Sequence, residues 1–387
     1  MNDEATQLPA FLKAHGVRPP SPSERRVLGT IVRRGMIGQP ALVRATGLAQ
    51  QSISRIVKRL LSLGVVVEGE RILSGRRGQP GVEVRIVPSF AYTVGLSIMT
   101  DAISVALMDF SGAVVAEAHR DLPIMTRNEV LGHLDDIVKG WLREKNIARD
   151  RIFGLGVSIS GRHIGPGAVY NTPEALDDWA LIAIDDLFRG RFDLPVWVEN
   201  DGNAAAVGES LVGVGRSFQN FAYLFVDTFI GGGVIINHEL MRGCNGNGGE
   251  IGLLLPRNTY PHPSLETLRQ TLGEYGEQHF RVSEMLRDFD DSWPGIDEWI
   301  IKTRGSFSLI ASALAAILDP EAIVLGGRMP ASLARRIIPH VEIFNDGRRG
   351  KPRALPRLVA SSAEGDASAI GAASLPFKEY FFSAATV

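Results

Sequence analysis

Charge in this chain is divided so unevenly that it constrains the fold before any element is assigned. Residues 23–88 carry twelve Lys/Arg against four Asp/Glu, whereas residues 89–387 carry twenty-seven against thirty-seven. A cationic end attached to an anionic remainder implies separate units with separate partners: the first attracts a polyanion and the second repels it. Within the basic stretch, Val27, Leu28, Ile31 and Val32 recur at helical spacing, as do Ile53, Ile56, Val57, Leu60 and Leu61, so both segments bury one face of a helix. A further helix lies between them from Gln39. Gly47 suits the tight turn before the third helix, and Gly64 suits a left-handed C-terminal stop. Ala49 stands where a capping Ser or Asp is usual, which blurs the start of that helix.

After Gly64 the run 65–73 reads as a strand and 81–87 as a second, separated by the basic, Gly-rich loop Ser74 to Pro80. Three helices followed by a basic hairpin form the layout of a winged helix-turn-helix. On the outward face of the third helix lie Gln50, Gln51, Ser52, Ser54, Arg55, Lys58 and Arg59, groups suited to base edges and phosphates of a duplex major groove. Arg76 and Arg77 on the loop suit a minor groove, where the potential is most negative. The competing reading, a solvated basic face, is set aside because charge, turn and wing agree.

The composition fits soluble globular material: 387 residues, 45% of them apolar, enough for two or three domains. No apolar run approaches the ~18 residues of a membrane span, and the N-terminus lacks the basic-then-apolar order of a secretion signal. A cytoplasmic location without membrane contact is expected. The single cysteine, Cys244, excludes an internal disulfide framework or a Cys-based zinc site, and is expected to be a small buried residue. Residues 1–20, polar and ending in Arg-Pro-Pro, are expected to be a loose arm.

From Tyr92 the pattern becomes α/β. Two strands turn back on each other as far as Gly112. A helix over 130–145, strands over 152–158, 196–199, 221–226 and 233–236, a helix over 306–318 and a strand over 322–325 follow. Four segments are distinctive: Val198-Glu199-Asn200-Asp201-Gly202-Asn203-Ala204-Ala205-Ala206, Gly248-Gly249-Glu250-Ile251-Gly252, Leu265-Glu266-Thr267, and Asp319 through Gly327. On these segments the chain resembles the ROK family, which groups bacterial sugar kinases with sugar-responsive repressors. The resemblance spans essentially the whole chain, including the N-terminal head of the repressor branch.

The resemblance implies a two-lobe actin-like, hexokinase-like (ribonuclease H-like) ATPase-type α/β fold behind the winged helix-turn-helix. The expected division is an arm over 1–20, a DNA-binding head over 21–88, a small lobe over 89–198 completed by 366–387, and a large lobe over 199–365. It also implies that Asp201 matches the base that deprotonates a sugar hydroxyl in the kinases, with Asn200 beside it, and that Glu250 and Glu266 match carboxylates that grip sugar hydroxyls. A structural role competes for each: an Asn-Asp pair at a strand end caps the next helix, and isolated Glu residues are usually solvated.

Elsewhere the family pattern is lost. The kinases' Asp-x-Gly-Gly-Thr becomes Ser97-Ile98-Met99-Thr100-Asp101, and their second phosphate loop, Gly-Thr-Gly-x-Gly, becomes Asp227-Thr228-Phe229-Ile230-Gly231. A Met in place of Gly, and an acid and an aromatic ring where triphosphate would lie, all oppose nucleotide. Gly231 to Gly233 then need serve only a tight turn. The family's Glu-x-Gly-His ends in Leu253, its Cys cluster is absent, and His262 alone cannot build a zinc site. The expectation is a homo-oligomeric regulator, dimeric or tetrameric, that binds a double-stranded operator and a sugar or polyol, requires neither ATP nor zinc, and retains Asp201 as a vestigial base. Two alternatives are an active sugar kinase fused to a DNA-binding head, and a regulator governed by a protein partner and indifferent to sugars.

Overall fold

The computed structural model describes residues 9–69, 83–256, 258–345, 350–351, 353–363 and 365–382. Arg76 and Arg77, with the loop that carries them, lie outside this set.

Of the loose arm expected over 1–20, residues 9–20 are described, and these are packed rather than loose. Helix α1 (Ala10–Ala14) buries Phe11 and Leu12, and the Phe11 ring packs edge-on against Phe90 and Phe153. Two large apolar side chains so close to Pro9 outweigh the polar composition around them. Helix α2 (Pro22–Arg34) starts at a capping box: Ser21 Oγ accepts from the Glu24 N–H, and Glu24 accepts from the Ser21 N–H. Strand β1 (Met36–Gly38) precedes α3 (Gln39–Thr46), which Gly47 ends with φ of 69°. Helix α4 (Gln50–Ser62) has Ala49 at its N-cap with no side-chain hydrogen bond, and buries Ile53, Ile56, Val57 and Leu60. Strands β2 (Val66–Glu68) and β3 (Glu83–Ile86) complete an antiparallel three-stranded sheet in the order β1-β3-β2.

Two five-stranded sheets of one topology follow. The first comprises β4 (Tyr92–Ile98), β5 (Ala102–Asp109), β6 (Val114–Asp121), β7 (Ile152–Ile159) and β10 (Val196–Asn200), in the order β10-β7-β4-β5-β6. Helix α5 (Arg127–Glu144), the short pair β8 (Arg162–His163) and β9 (Tyr170–Asn171), and α6 (Ile184–Phe192) connect them. Helix α7 (Asp201–Val212) leads into the second sheet: β11 (Phe221–Val226), β12 (Ile230–Ile236), β13 (Glu239–Leu240), β14 (Ala322–Gly327) and β15 (Arg357–Ala360), ordered β13-β12-β11-β14-β15. Helices α8 (Leu265–Glu274), α9 (Val282–Arg287), α10 (Ile296–Leu318), α11 (Ala331–Ile337) and α12 (Ala367–Phe377) complete it. In each sheet the first three strands are antiparallel and the last two parallel to the first.

The two units exchange their last helices. Helix α7, which ends the first, packs on β11 and β12, while α12, which ends the second, packs on β4, β5 and β7. This close approach explains the small residues at the crossing. A Cβ on Gly156 would collide with the Ala372 backbone, and one on Gly371 with the Ala204 carbonyl. Gly232 and Gly233 likewise lie within β12 rather than in a tight turn, pressed against Ile251 and α7. Helix α10 is long and apolar enough to cross a membrane by length and composition, and half of its most apolar stretch is buried inside the protein.

The head does not stand apart from this body. Leu28, Ile31 and Ile53 belong to the same buried cluster as Phe110, Phe153, Phe377 and Phe382. Gly156→Ala is expected to destabilise the chain by about 1–3 kcal/mol or prevent folding. Urea unfolding of the purified variant measures this.

Candidate functional site

Strands β7 and β10 run parallel, so the residues just past their C-terminal ends converge at one edge of the sheet, the usual location of ligand sites in such sheets. Past β7 come Ser160, Gly161 and Arg162, and β10 ends at Asn200 followed by Asp201. These face Thr228, Phe229 and the segment Gly248 to Glu250 across a cavity of about 320 Å³.

Asn200 caps α7. Its Oδ1 accepts from the Gly202 and Asn203 N–H groups at 2.9 and 3.3 Å, and its Nδ2 donates to the Gly161 carbonyl at 2.9 Å. The structural role weighed for this residue is therefore realised, and its side chain orients the wall. Asp201 accepts from the Gly202 N–H at 2.8 Å and from the Ser160 hydroxyl. Burial raises its carboxyl to about 7; the Ser160 hydrogen bond opposes the rise and the Asp227 charge adds to it. Glu250 is also raised, by burial, against the favourable charge of Arg162.

Glu266, the remaining expected sugar contact, does not line the cavity. Its Oε1 accepts from Arg269 and Gln270, and its Oε2 from Arg269. Those bonds hold its carboxyl below the usual range. Ser160, Arg162 and Thr228 were not anticipated; the rule that ligands gather at the C-terminal ends of parallel strands could have found the first two.

A larger cleft of about 1010 Å³ lies beside this cavity, with Ser104, Glu117, Arg287, Arg335 and Asp366 on its walls. Between the two, Arg328 Nη1 pairs with Asp101 Oδ1 at 2.9 Å and Asp227 Oδ1 at 3.2 Å, all three side chains being nearly buried. The Ser283 N–H donates to Asp101 Oδ2 at 2.8 Å. Burial alone would raise Asp101, but Arg328 and the Ser283 bond outweigh it, so its carboxyl lies below the ordinary range. Asp227 is raised, its burial exceeding the pull of Arg328. Thr100 and Thr228 hydroxyls meet at 3.2 Å in the same seam. Met99 is buried, whereas Phe229 is 58% exposed at the cavity wall.

On the head, Gln50, Gln51, Ser54, Arg55 and Lys58 are exposed along one face of α4, with Ser52 half-buried beside them. Arg59 departs from that set by pairing with Glu24 of α2 at 3.4 Å. Cys244 is exposed, contrary to the burial expected of it. Among the described residues no group of three or more His, Cys, Asp or Glu could hold a metal ion.

The ROK family model matches residues 93–264. The chain carries a ROK family domain. A xylose repressor from Bacillus spizizenii is 28% identical over 231 residues, 59% of this chain and 59% of the repressor. A glucokinase from Halalkalibacterium halodurans is 25% identical over 307 residues, 70% of this chain and 88% of the kinase. Among solved structures, a ROK family transcriptional regulator described as a homologue of the Escherichia coli MLC protein superposes with a TM-score of 0.65 at 19% identity, covering 93% of this chain and 97% of the regulator. That likeness establishes that the α/β architecture is that of ROK proteins.

Two outcomes are expected from this site. Unfolded Asp201 releases its proton near 3.8 and the folded group near 7, so its stabilising contribution is full below about pH 4 and is lost as pH rises through 7. Urea titrations should show stability falling across that window by on the order of 4 kcal/mol. Asp201→Asn should flatten the fall, leaving the Asp227 contribution of the same sign. Arg328→Met should cost about 3–5 kcal/mol by stranding two buried carboxylates, and adding Asp101→Asn and Asp227→Asn should recover part of the loss in the same assay.

Proposed function

We propose that the chain is a DNA-binding transcriptional regulator, a repressor of carbohydrate-metabolism genes, whose effector is a sugar or related polyol held in the cavity at Asp201. Residues 21–88 act as a winged helix-turn-helix head. Residues 89–198 with 366–387 form the small lobe, and 199–365 the large lobe and oligomer contacts. The observation that carries this reading is the exposed face of Gln50, Gln51, Ser54, Arg55 and Lys58 on α4, on a head whose core is continuous with that of a kinase-like body. Amide and guanidinium groups at the start of such a helix suit base edges, and Lys58 suits a phosphate. Arg76 and Arg77, outside the described residues, are proposed as further DNA contacts. The xylose repressor likeness supports the same reading.

In the cavity, Asp201, Glu250 and Arg162 offer the acceptors and donor that hydroxyl groups need, and Phe229 offers an apolar face for the ring carbons. Binding alters operator affinity only if the occupied and empty forms differ in how they hold the paired heads of a homo-oligomer. The body is read as non-catalytic and cytoplasmic, without zinc or bound ATP. Arg328, Asp101 and Asp227 fill the seam between the two cavities, one guanidinium against two carboxylates, and the excess of negative charge there disfavours a triphosphate.

One observation favours a second reading. Asp201 lies on the cavity wall with Ser160 bonded to it and its carboxyl raised by burial, a placement suited to general-base work, as a sugar kinase requires.

Genomic fragments retained by the purified chain supply the operator, and fluorescence anisotropy with and without a panel of pentoses, hexoses and polyols tests the effector. Arg55→Ala is expected to weaken operator binding by about 1–3 kcal/mol, and one of the sugars to shift wild-type affinity. Retention of no specific fragment would contradict the regulator. ATP-dependent sugar phosphorylation that Asp201→Asn abolishes would establish the kinase instead.

A further inference from the structure

We propose that Glu199, Arg242 and Glu379 form a positioning relay that ties the wall of the Asp201 cavity to helix α2 of the head. The relay rests on the reading of that cavity as an effector site and of the head as the DNA-binding element.

It begins at the cavity. Glu199 is buried at the end of β10, and its Oε1 accepts from the Asn200 N–H at 3.0 Å and from Asn203 Nδ2 at 3.2 Å. That carboxylate therefore braces the first turn of α7, where Asp201 sits. Its Oε2 accepts from Arg242 Nε at 2.8 Å. Arg242 also anchors the opposite wall, because its carbonyl accepts from the Gly248 N–H at 2.7 Å. Gly248, Gly249 and Glu250 then line the cavity. The intervening chain contains Gly243, Gly246 and Gly249 in the left-handed region, conformations that side chains resist and that let a loop turn sharply.

From Arg242 the relay leaves the cavity. Arg242 Nη2 donates to Glu379 Oε1 at 2.8 Å. Glu379 lies in the wide helical turn 378–382 that follows α12, and its carbonyl accepts from Arg25 of α2. Lys378, buried beside it, donates to the His238 carbonyl, so the turn is held on both sides. On α2, a Cβ at Gly29 would strike the Phe382 carbonyl at 2.5 Å, so helix and turn meet in close backbone contact. Arg26 of α2 reaches the Thr46 carbonyl at the end of α3 at 3.3 Å, and Glu24 pairs with Arg59 of α4.

A planar guanidinium can address two carboxylates at once in fixed directions, which an ammonium cannot. Arg242 is 41% and Glu379 32% exposed, so that pair adds little to global stability, whereas Glu199 is buried and depends on Arg242 for its charge partner. Their effect is geometric: any ligand that displaces Glu250 or the start of α7 changes the position of Arg242, and through it the seat of α2. Coupling of this kind is recognised by a response at one end to a change made at the other.

Hydrogen exchange of the full chain, with neither sugar nor DNA present, tests it. Glu379→Gln should speed exchange at the start of α7 and in residues 241–250 by about two- to thirtyfold, and Glu199→Gln should do the same in α2. Arg242→Lys should produce both effects, and adding either Gln substitution to it should add nothing further. If each end substitution speeds exchange only around itself, or the effects add, the relay is wrong. Should Glu199→Gln fail to fold, Glu379→Gln decides the question alone. Because no effector or operator enters the experiment, a failed sugar or DNA screen would overturn the functional reading and leave this result standing.

Discussion

The backbone-to-backbone packing of α12 is the constraint on which the rest of the structure depends. Its residues from Ala367 to Phe377 are all buried, and they meet α7 and the first sheet at glycines that leave no room for a side chain. Thr93 Oγ1 adds a hydrogen bond to the Ala373 carbonyl at 2.7 Å, and Ser368 Oγ one to the Asp201 carbonyl at 3.2 Å. The helix thereby fixes where α7 begins, and with it the position of Asp201. Continuing past Phe377, the same chain becomes the turn on which α2 is seated. One element thus locates both the cavity and the head.

Electrostatics divide the cleft into two unlike halves. On one side Arg328 pairs with both Asp101 and Asp227, which holds Asp101 below the ordinary range while buried Asp227 is still raised. On the other, Asp201 and Glu250 are left without a cation in direct contact and hold their protons more tightly. Burial without an ion pair favours the neutral carboxyl, which both donates and accepts hydrogen bonds. A wall of that kind suits a hydroxylated neutral ligand better than a phosphate.

Much of the head was legible because its signals are local. The apolar spacing of Val27 to Val32 and Ile53 to Leu60 marked two helices, and Gly47 marked the turn between α3 and α4. Strand β1 escaped notice because three residues carry no periodicity. The start of α10 was missed for a related reason, since Lys302, Arg304 and Gly305 interrupt its apolar pattern. Phe11 and Leu12 were misread within a polar stretch whose burial depends on partners far along the chain, Phe90 and Phe153. In the cleft, Asn200, Asp201 and Glu250 stood out in compact motifs. Glu266 did too, but its motif could not reveal that Arg269, less than one turn further along α8, would claim it. Arg328 lay beyond such reading altogether, because its two partners are 227 and 101 residues distant.

These contacts make the head and the Asp201 cavity one mechanical unit, a claim that differential scanning calorimetry of the full chain addresses most directly. The account expects a single unfolding transition whose calorimetric and van't Hoff enthalpies agree, and expects Ile53→Ala in the head to move that whole transition to lower temperature. Two resolved transitions, with only the lower one responding to Ile53→Ala, would show a head that folds and melts on its own and would contradict it.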